Sequence, residues 1–209
     1  MKRIIFFCIF IFLIFLISNV TAISSNLKTE YERGESIIIE INGNILEPID
    51  KTDVEFLRKH ISVPLEYDIK KIGGRYFLWA IAPQTSGNYT LAINNIATTI
   101  SGKTARINFA QNFSVMNNLT DYSIKPGFIS TKEDFIISID LNADFEKIIN
   151  VNRPYEREVV LKPGRNNVEF LADDFDIGGE VKPFVMSLDY NSLEATIFSE
   201  DPAEEKEVV

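Results

Sequence analysis

The chain has 209 residues, of which 45% are hydrophobic and one is cysteine, and carries a formal net charge of −9. Acidity of this size excludes nucleic acid as a natural partner, because binding a phosphate backbone depends on a basic surface that displaces counterions. A single cysteine excludes an internal disulfide, so any core must be held by apolar burial alone.

The chain opens with Met1-Lys2-Arg3, continues through an apolar run over residues 4–17 interrupted only by the thiol of Cys8, and reaches Ser18-Asn19-Val20-Thr21-Ala22. A positive start, an apolar middle and a small-residue Val-x-Ala end predict a signal peptide over residues 1–22, cleaved after Ala22. The competing expectation is an uncleaved anchor. Residues 4–17 fall short of the roughly 20 apolar residues of a spanning helix, and extension to Val20 narrows the gap. Cys8 lies inside the apolar run and not at its end, which argues against a lipoprotein. Removing 22 of 209 residues leaves 187, enough for two sandwich domains of roughly 90 residues each. Losing Lys2 and Arg3 takes the charge from −9 to −11, which favours a soluble, monomeric exported protein. The only cysteine leaves with the segment, and an exported protein without cystine fits a prokaryotic cell surface better than an animal secretion.

Taken in order, residues 23–30 are a polar lead-in. Tyr31-Glu32-Arg33-Gly34-Glu35-Ser36 then feeds a β-branched strand, Ile37-Ile38-Ile39-Glu40-Ile41, which ends at Asn42-Gly43-Asn44. Thr52-Asp53-Val54-Glu55 spells a capping box, with Val54, Leu57 and Ile61 at helical spacing. Val63-Pro64 stops a helix soon after, and Leu57, Ile61, Val63, Leu65, Tyr67 and Ile69 alternate on one face, so two short strands are predicted here. After a Lys71-Ile72-Gly73-Gly74 turn, residues 75–93 read as two strands about Pro83-Gln84-Thr85-Ser86-Gly87-Asn88. Residues 105–115 close the first domain with Ile107, Phe109, Phe113 and Val115 in phase, where a bulge is permitted, and Met116-Asn117-Asn118-Leu119-Thr120 reads as a polar joint. The second half repeats this grammar. Strands are predicted at 122–125, 134–141 and 147–151, a hairpin about Pro163-Gly164 over 158–170, and two final strands over 184–198. The domains are therefore expected at 23–115 and 116–198, with 199–209 an acidic tail too polar to order itself.

Gly34-Glu35-Ser36-Ile37, then Phe77, Trp79 and Ile81 on one strand, then Gly87-Asn88-Tyr89-Thr90-Leu91, resembles the strand B, E and F sequence of immunoglobulin-like domains. The resemblance implies a β-sandwich in which Tyr89 makes the "tyrosine corner" of strand F. The chain departs from the pattern in having no cysteine on strands B and F, where Leu91 holds the second position, and in carrying Trp79 on strand E. Val159-x-Leu161-x-Pro163-Gly164-x-Asn166 is similar to a hairpin of bacterial and archaeal surface sandwich modules.

Chemistry-bearing residues are sparse. His60, the only histidine, has no nucleophile motif to serve and reads as a solvated side chain beside Arg58. Asp140-x-Asn142-x-Asp144 has the alternate spacing of a calcium loop, but Phe145 replaces the turn glycine and no glutamate closes it. Asp173, Asp174 and Asp176, with Glu180 nearby, form a second acidic loop of the same weak kind. Paired carboxylates are uninformative where 30 acidic residues make some pair inevitable. Asn88-Tyr89-Thr90, Asn112-Phe113-Ser114 and Asn118-Leu119-Thr120 are acceptor triplets for N-glycosylation. Tyr76, Phe77, Leu78, Trp79 and Ile81 place apolar groups on both faces of one strand. One set faces the core, and the other is expected to be covered by the second domain or a barrel-like closure, the alternative being an exposed aromatic platform for sugars with Tyr76 and Trp79.

The expected fold is all-β, two consecutive immunoglobulin-like sandwiches after the signal peptide. The expected function is an exported, non-enzymatic structural or binding module at a cell surface, using no cofactor. Its partner would be a surface protein or polysaccharide, met through loops near Asn88 or near Asn117 and Asn118. The alternatives are a secreted carbohydrate-binding or glycoside-hydrolase accessory domain, and an ectodomain touching the membrane only through residues 4–20.

Overall fold

The computed structural model describes residues 23–131, 133–151, 156–175, 184–186 and 195–198. The predicted signal peptide and acidic tail lie outside these residues. The first unit contains β1 (Ile23–Ser25), β2 (Glu30–Arg33), β3 (Ser36–Gly43), β4 (Val54–Arg58), β5 (Ile61–Ser62), β6 (Tyr67–Ile72), β7 (Arg75–Ile81), β8 (Gly87–Ile100) and β9 (Lys103–Leu119). They form two sheets, in the orders β1-β3-β7-β6 and β2-β9-β8-β4-β5. These are the A-B-E-D and G-F-C-C′ orders of an immunoglobulin-like sandwich. The β2 strand carries the chain across to run parallel with β9.

Alternation decides which residues enter the core. Ile37, Ile39 and Ile41 of β3, Tyr76, Leu78 and Ala80 of β7, and Leu91 and Ile93 of β8 point inward and are buried together. Leu91, at the position that immunoglobulin-like domains give to cysteine, is fully buried, so an aliphatic side chain takes the place of the cystine. Each such residue contributes about 1.5–3 kcal/mol by leaving water. Phe113 is the aromatic centre, edge-on to Tyr31 and Phe56 and stacked on Tyr89 at 5.7 Å.

Three expectations are corrected. The polar-faced stretch after Asp50 begins with a 3-10 turn, Lys51–Asp53, in which the Asp50 N–H donates to the Asp53 carboxylate at 2.8 Å. In the strand that follows, Val54 and Phe56 are buried while Leu57 is half-buried and Ile61 exposed, so the predicted face fails at these two positions, whereas Val63, Leu65, Tyr67 and Ile69 pack against the core as expected. Capture by the Phe113 aromatic cluster explains the phase: Phe56 is the larger group, and it goes inside. The strand predicted to end at Ile93 continues to Ile100. Its pairing with β9 shifts between Ile93 and Ile96, where Asn95 takes φ 61°, and β9 runs unbroken in register from Phe109 to Val115. Finally, β9 extends through the predicted joint to Leu119, leaving Thr120 and Asp121 before the next strand.

The second unit contains β10 (Tyr122–Lys125), β11 (Phe128–Ser130), β12 (Phe135–Leu141), β13 (Lys147–Val151), β14 (Arg157–Leu161), β15 (Gly164–Phe170), β16 (Phe184–Met186) and β17 (Ala195–Phe198). Its sheets are β10-β12-β15, β11-β17-β16 and the pair β13-β14. The A-B-E order recurs, as does an early strand, β11, parallel to the last one. The expected hairpin about Pro163-Gly164 is not formed: β14 pairs with β13 and β15 with β12, so this turn carries the chain from one sheet to another. A separate core gathers Ile124, Ile137, Ile139, Leu141, Ile149, Val151, Leu161, Val168 and Phe170.

The two units are clamped together on the outer face of the first sheet. Phe77 and Trp79 of β7, Ile72 of β6 and Phe128 of β11 form their own buried cluster, with Ile38 and Ile81 against it. The Ser36 hydroxyl donates to the Ile124 carbonyl at 2.9 Å and accepts from the Ile124 N–H at 2.7 Å. The Trp79 Nε1–H donates to that same carbonyl at 3.2 Å, and the Ser123 hydroxyl donates to the Gly34 carbonyl. Thus the free edge of β10 is satisfied by the first unit while the Ile124 side chain sits in the second core. Gly127 is required by contact: a Cβ there would fall 1.8 Å from Trp79 Cδ1.

Gly127→Ala is therefore expected to force the indole out of its seat and cost about 1–3 kcal/mol, the usual cost of overpacking. Trp79 is the sole tryptophan, so its emission should shift to the red in the variant under native conditions. An unchanged spectrum and denaturation midpoint would count against the clamp.

A second expectation concerns pH. Burial pushes the Tyr31 hydroxyl up to about 12, with the Lys28 N–H bonded to it at 3.1 Å opposing the shift and nearby Glu35 adding to it. The fold holds the neutral phenol, so this contribution is complete below pH 10 and is lost as pH rises towards 12. The loss is worth at most about 3 kcal/mol for two units. Melting temperature should fall over that window, and Tyr31→Phe should show a smaller fall than the parent.

Candidate functional site

A groove of about 600 Å³ opens on the outer face of the β2-β9-β8-β4-β5 sheet. Its wall is the β4–β5 turn, and its floor is the β8–β9 ladder. Arg58 and Ile61 pair directly, so Lys59 and His60 make a two-residue hairpin turn, with φ 51° and 67°. Positive φ at both central residues is the requirement of a type I′ turn, which Asn-Gly usually meets. Here two bulky cationic or titratable side chains bear the strain, at roughly 1 kcal/mol each.

Arg58 anchors the turn to the floor. Its Nη2 donates to the Ser86 carbonyl at 2.9 Å, and its guanidinium lies 5.6 Å from the Tyr89 ring centre. Gly87 makes room for it, having φ 140° and only 3.2 Å between a notional Cβ and Arg58 Nη2. Tyr89 donates its hydroxyl to the Thr85 carbonyl at 2.7 Å. That is the tyrosine corner that its position on strand F implied.

The floor is an amide–hydroxyl ladder. Asn88 lies opposite Ser114 and Thr90 opposite Asn112. The Ser114 hydroxyl donates to Asn88 Oδ1 at 3.0 Å, and the Thr90 hydroxyl donates to Asn112 Oδ1 at 2.7 Å. Two of the glycosylation triplets thus interlock across one hairpin. The third behaves differently: Asn118 is exposed at the end of β9, but the Thr120 hydroxyl is buried and donates to the Tyr122 carbonyl at 3.2 Å. Sequence reasoning named Asn88, Asn112 and His60 separately. Only the register of β8 against β9 brings the two asparagines into one groove with the turn.

The other predicted residues are placed as follows. Trp79 and Tyr76 are 5% and 4% exposed, which corrects the aromatic-platform alternative. Trp79 faces the second unit, while Tyr76 faces the first core and accepts from the Ile49 N–H at 3.2 Å. The Asp140 carboxylate is held by Arg165 at 3.0 Å, a partnership that raises the arginine pKa. Asn142 is turned to the junction, where its Nδ2 donates to the Thr120 carbonyl at 2.9 Å. Asp144 is exposed beyond it. Asp173 and Asp174 lie in a 3-10 turn, Ala172–Phe175; Asp176 and Glu180 lie outside the described residues.

No family model and no curated protein matches the chain. Among solved structures it is similar to the crystal structure of the I9–I11 tandem from titin, at 12% identity and a TM-score of 0.26, over 85% of this chain and 65% of that one. The chain spans just under two thirds of that tandem's length. The immunoglobulin-like assignment rests on the strand order and the tyrosine corner.

Replacing the strained pair, Lys59→Asn with His60→Gly, supplies the residues that positive φ favours. The double variant should be more stable than the parent by about 1 kcal/mol, read as a raised denaturation midpoint at unchanged slope. A lowered midpoint would mean that these side chains hold the turn.

Proposed function

We propose that the protein is an exported, non-enzymatic module of a cell surface, structural or ligand-binding, built as a rigid tandem of two sandwiches. The observation that carries this reading is the clamp at Ile124. Ser36 and Trp79 of the first unit bond the first strand of the second, and a shared apolar cluster surrounds them. A junction of this kind fixes orientation, which suits a spacer or display element, whereas a hinged pair would leave its outer β7 face wet.

The hydroxyls in the groove support the non-enzymatic part. Thr90 and Ser114 donate to amide oxygens and not to a base, and the histidine beside them sits in an exposed turn. Export is supported by Lys2-Arg3, the apolar run over 4–17 and Val20-Thr21-Ala22. The lack of any cysteine after Cys8 agrees with a surface at which cystine is not the usual staple.

The test is fractionation of the native host carrying the full chain with a carboxy-terminal tag, followed by amino-terminal sequencing of the recovered protein. An envelope or medium fraction beginning at Ile23 is expected. A membrane-bound form beginning at Met1 would replace secretion with the anchored ectodomain, and a cytosolic form would overturn the reading.

A further inference from the structure

We propose that the groove between the β4–β5 turn and the β8–β9 ladder binds an acidic saccharide, a chain of uronic-acid type. The proposal deepens the surface-module reading by naming the ligand class of one of its faces. It begins from the orientation of two amides. Asn88 Oδ1 and Asn112 Oδ1 each accept a hydroxyl hydrogen from across the ladder, so each Nδ2 is left as the group that the floor presents outward. Among the described residues neither Nδ2 has a partner of its own. The floor therefore offers N–H donors in pairs, together with the spare lone pairs of Thr90 and Ser114.

The wall adds charge of one sign. Arg58 and Lys59 line the groove beside His60, and no carboxylate is among the lining residues, Glu30 standing outside it on β2 opposite Ser114, in a chain with 30 acidic residues against 21 Lys and Arg. The segregation matters because a like-charged rim would repel the anion that the donors require. What the groove is built to accept is a group rich in acceptors and negative in charge.

Hydroxyls distinguish a saccharide from other polyanions. An uronate offers its carboxylate to the Lys59 side of the site, ring and hydroxyl oxygens to the amide N–H groups, and hydroxyl hydrogens to the free lone pairs of Thr90 and Ser114. A protein partner would seek an apolar or aromatic anchor, and the aromatic residues here, Tyr89 and Phe113, are buried beneath the floor. A volume of about 600 Å³ is of the size that small-ligand sites use.

The full chain is titrated calorimetrically with polygalacturonate, with neutral galactan and poly-glutamate as comparisons. Saturable binding of polygalacturonate that weakens as salt is raised is expected, with galactan and poly-glutamate at least about tenfold weaker. Asn112→Asp keeps the oxygen that Thr90 bonds and replaces the outward N–H donors by an anionic oxygen; Lys59→Asn removes the cation from the turn. Each should weaken polygalacturonate binding about tenfold or more, with the melting temperature unchanged for Asn112→Asp and no lower than the parent's for Lys59→Asn. Equal binding of galactan, equal binding of poly-glutamate, or parental affinity in both variants would overturn the proposal. So would a glycan found by mass spectrometry on Asn88 or Asn112 of the native protein, since it would fill the groove. None of these outcomes bears on export, which is scored by fraction and amino terminus alone.

Discussion

The structure depends on one strand being apolar on both faces. β7 sends Tyr76, Leu78 and Ala80 into the first core and Phe77 and Trp79 out of the back of its sheet. An antiparallel sheet can keep one face in water, but a strand with large apolar groups on both sides cannot. The second unit exists where it does because it covers Phe77 and Trp79. Its contacts follow from that need: Gly127 lacks the Cβ that would collide with the indole, and the Ile124 carbonyl is placed to accept the indole N–H. Ser36, the first residue of the strand beside β7, completes the pairing that the edge of β10 would otherwise lack. An uncovered edge invites pairing with other chains; here the same two bonds that satisfy it also set the angle between the units.

Much of the architecture was legible because period and turn chemistry act locally. Ile37, Ile39 and Ile41 alternate with Ile38 and Glu40, and no partner is needed to see that three of them share a face. Tyr89 after Gly87-Asn88 implied the tyrosine corner, and the apolar surplus around Trp79 implied a cover. What failed to show was decided by partners distant in sequence. Val54 and Phe56 won the inward face because Phe113 and Tyr67 are there to receive Phe56, so the predicted alternation fails at Leu57 and Ile61 and holds from Val63 to Ile69. Pro163-Gly164 is a good tight turn in either case; whether its flanking strands pair depends on β12 and β13 offering edges to β15 and β14.

The candidate site was legible only in pieces. Lys59-His60 carries none of the Asn, Asp or Gly that mark positive φ, so the turn was invisible as a turn. The asparagines were visible as sequence triplets, yet their meaning changes once each triplet's hydroxyl is seen to bond the other's amide. Ordinary residues at ordinary spacing became a groove through register alone, and no single-strand pattern encodes register.

The two faces of the first unit are thus treated in opposite ways, and the difference is informative. The back of the β7 sheet is apolar and is consumed in holding the second unit, with every contact directed inside the molecule. The front of the β8–β9 sheet is polar, its amides are pre-oriented by the hydroxyls that donate to them across the ladder, and a strained turn carrying Lys59 stands beside it. Stability alone would favour relaxing that turn, since Asn-Gly would form it without bulky side chains in the left-handed region. Retaining Lys59 and His60 there makes sense if their side chains are directed at something outside the chain. Both faces belong to one sandwich, so the contacts that hold the second unit leave the polar face open.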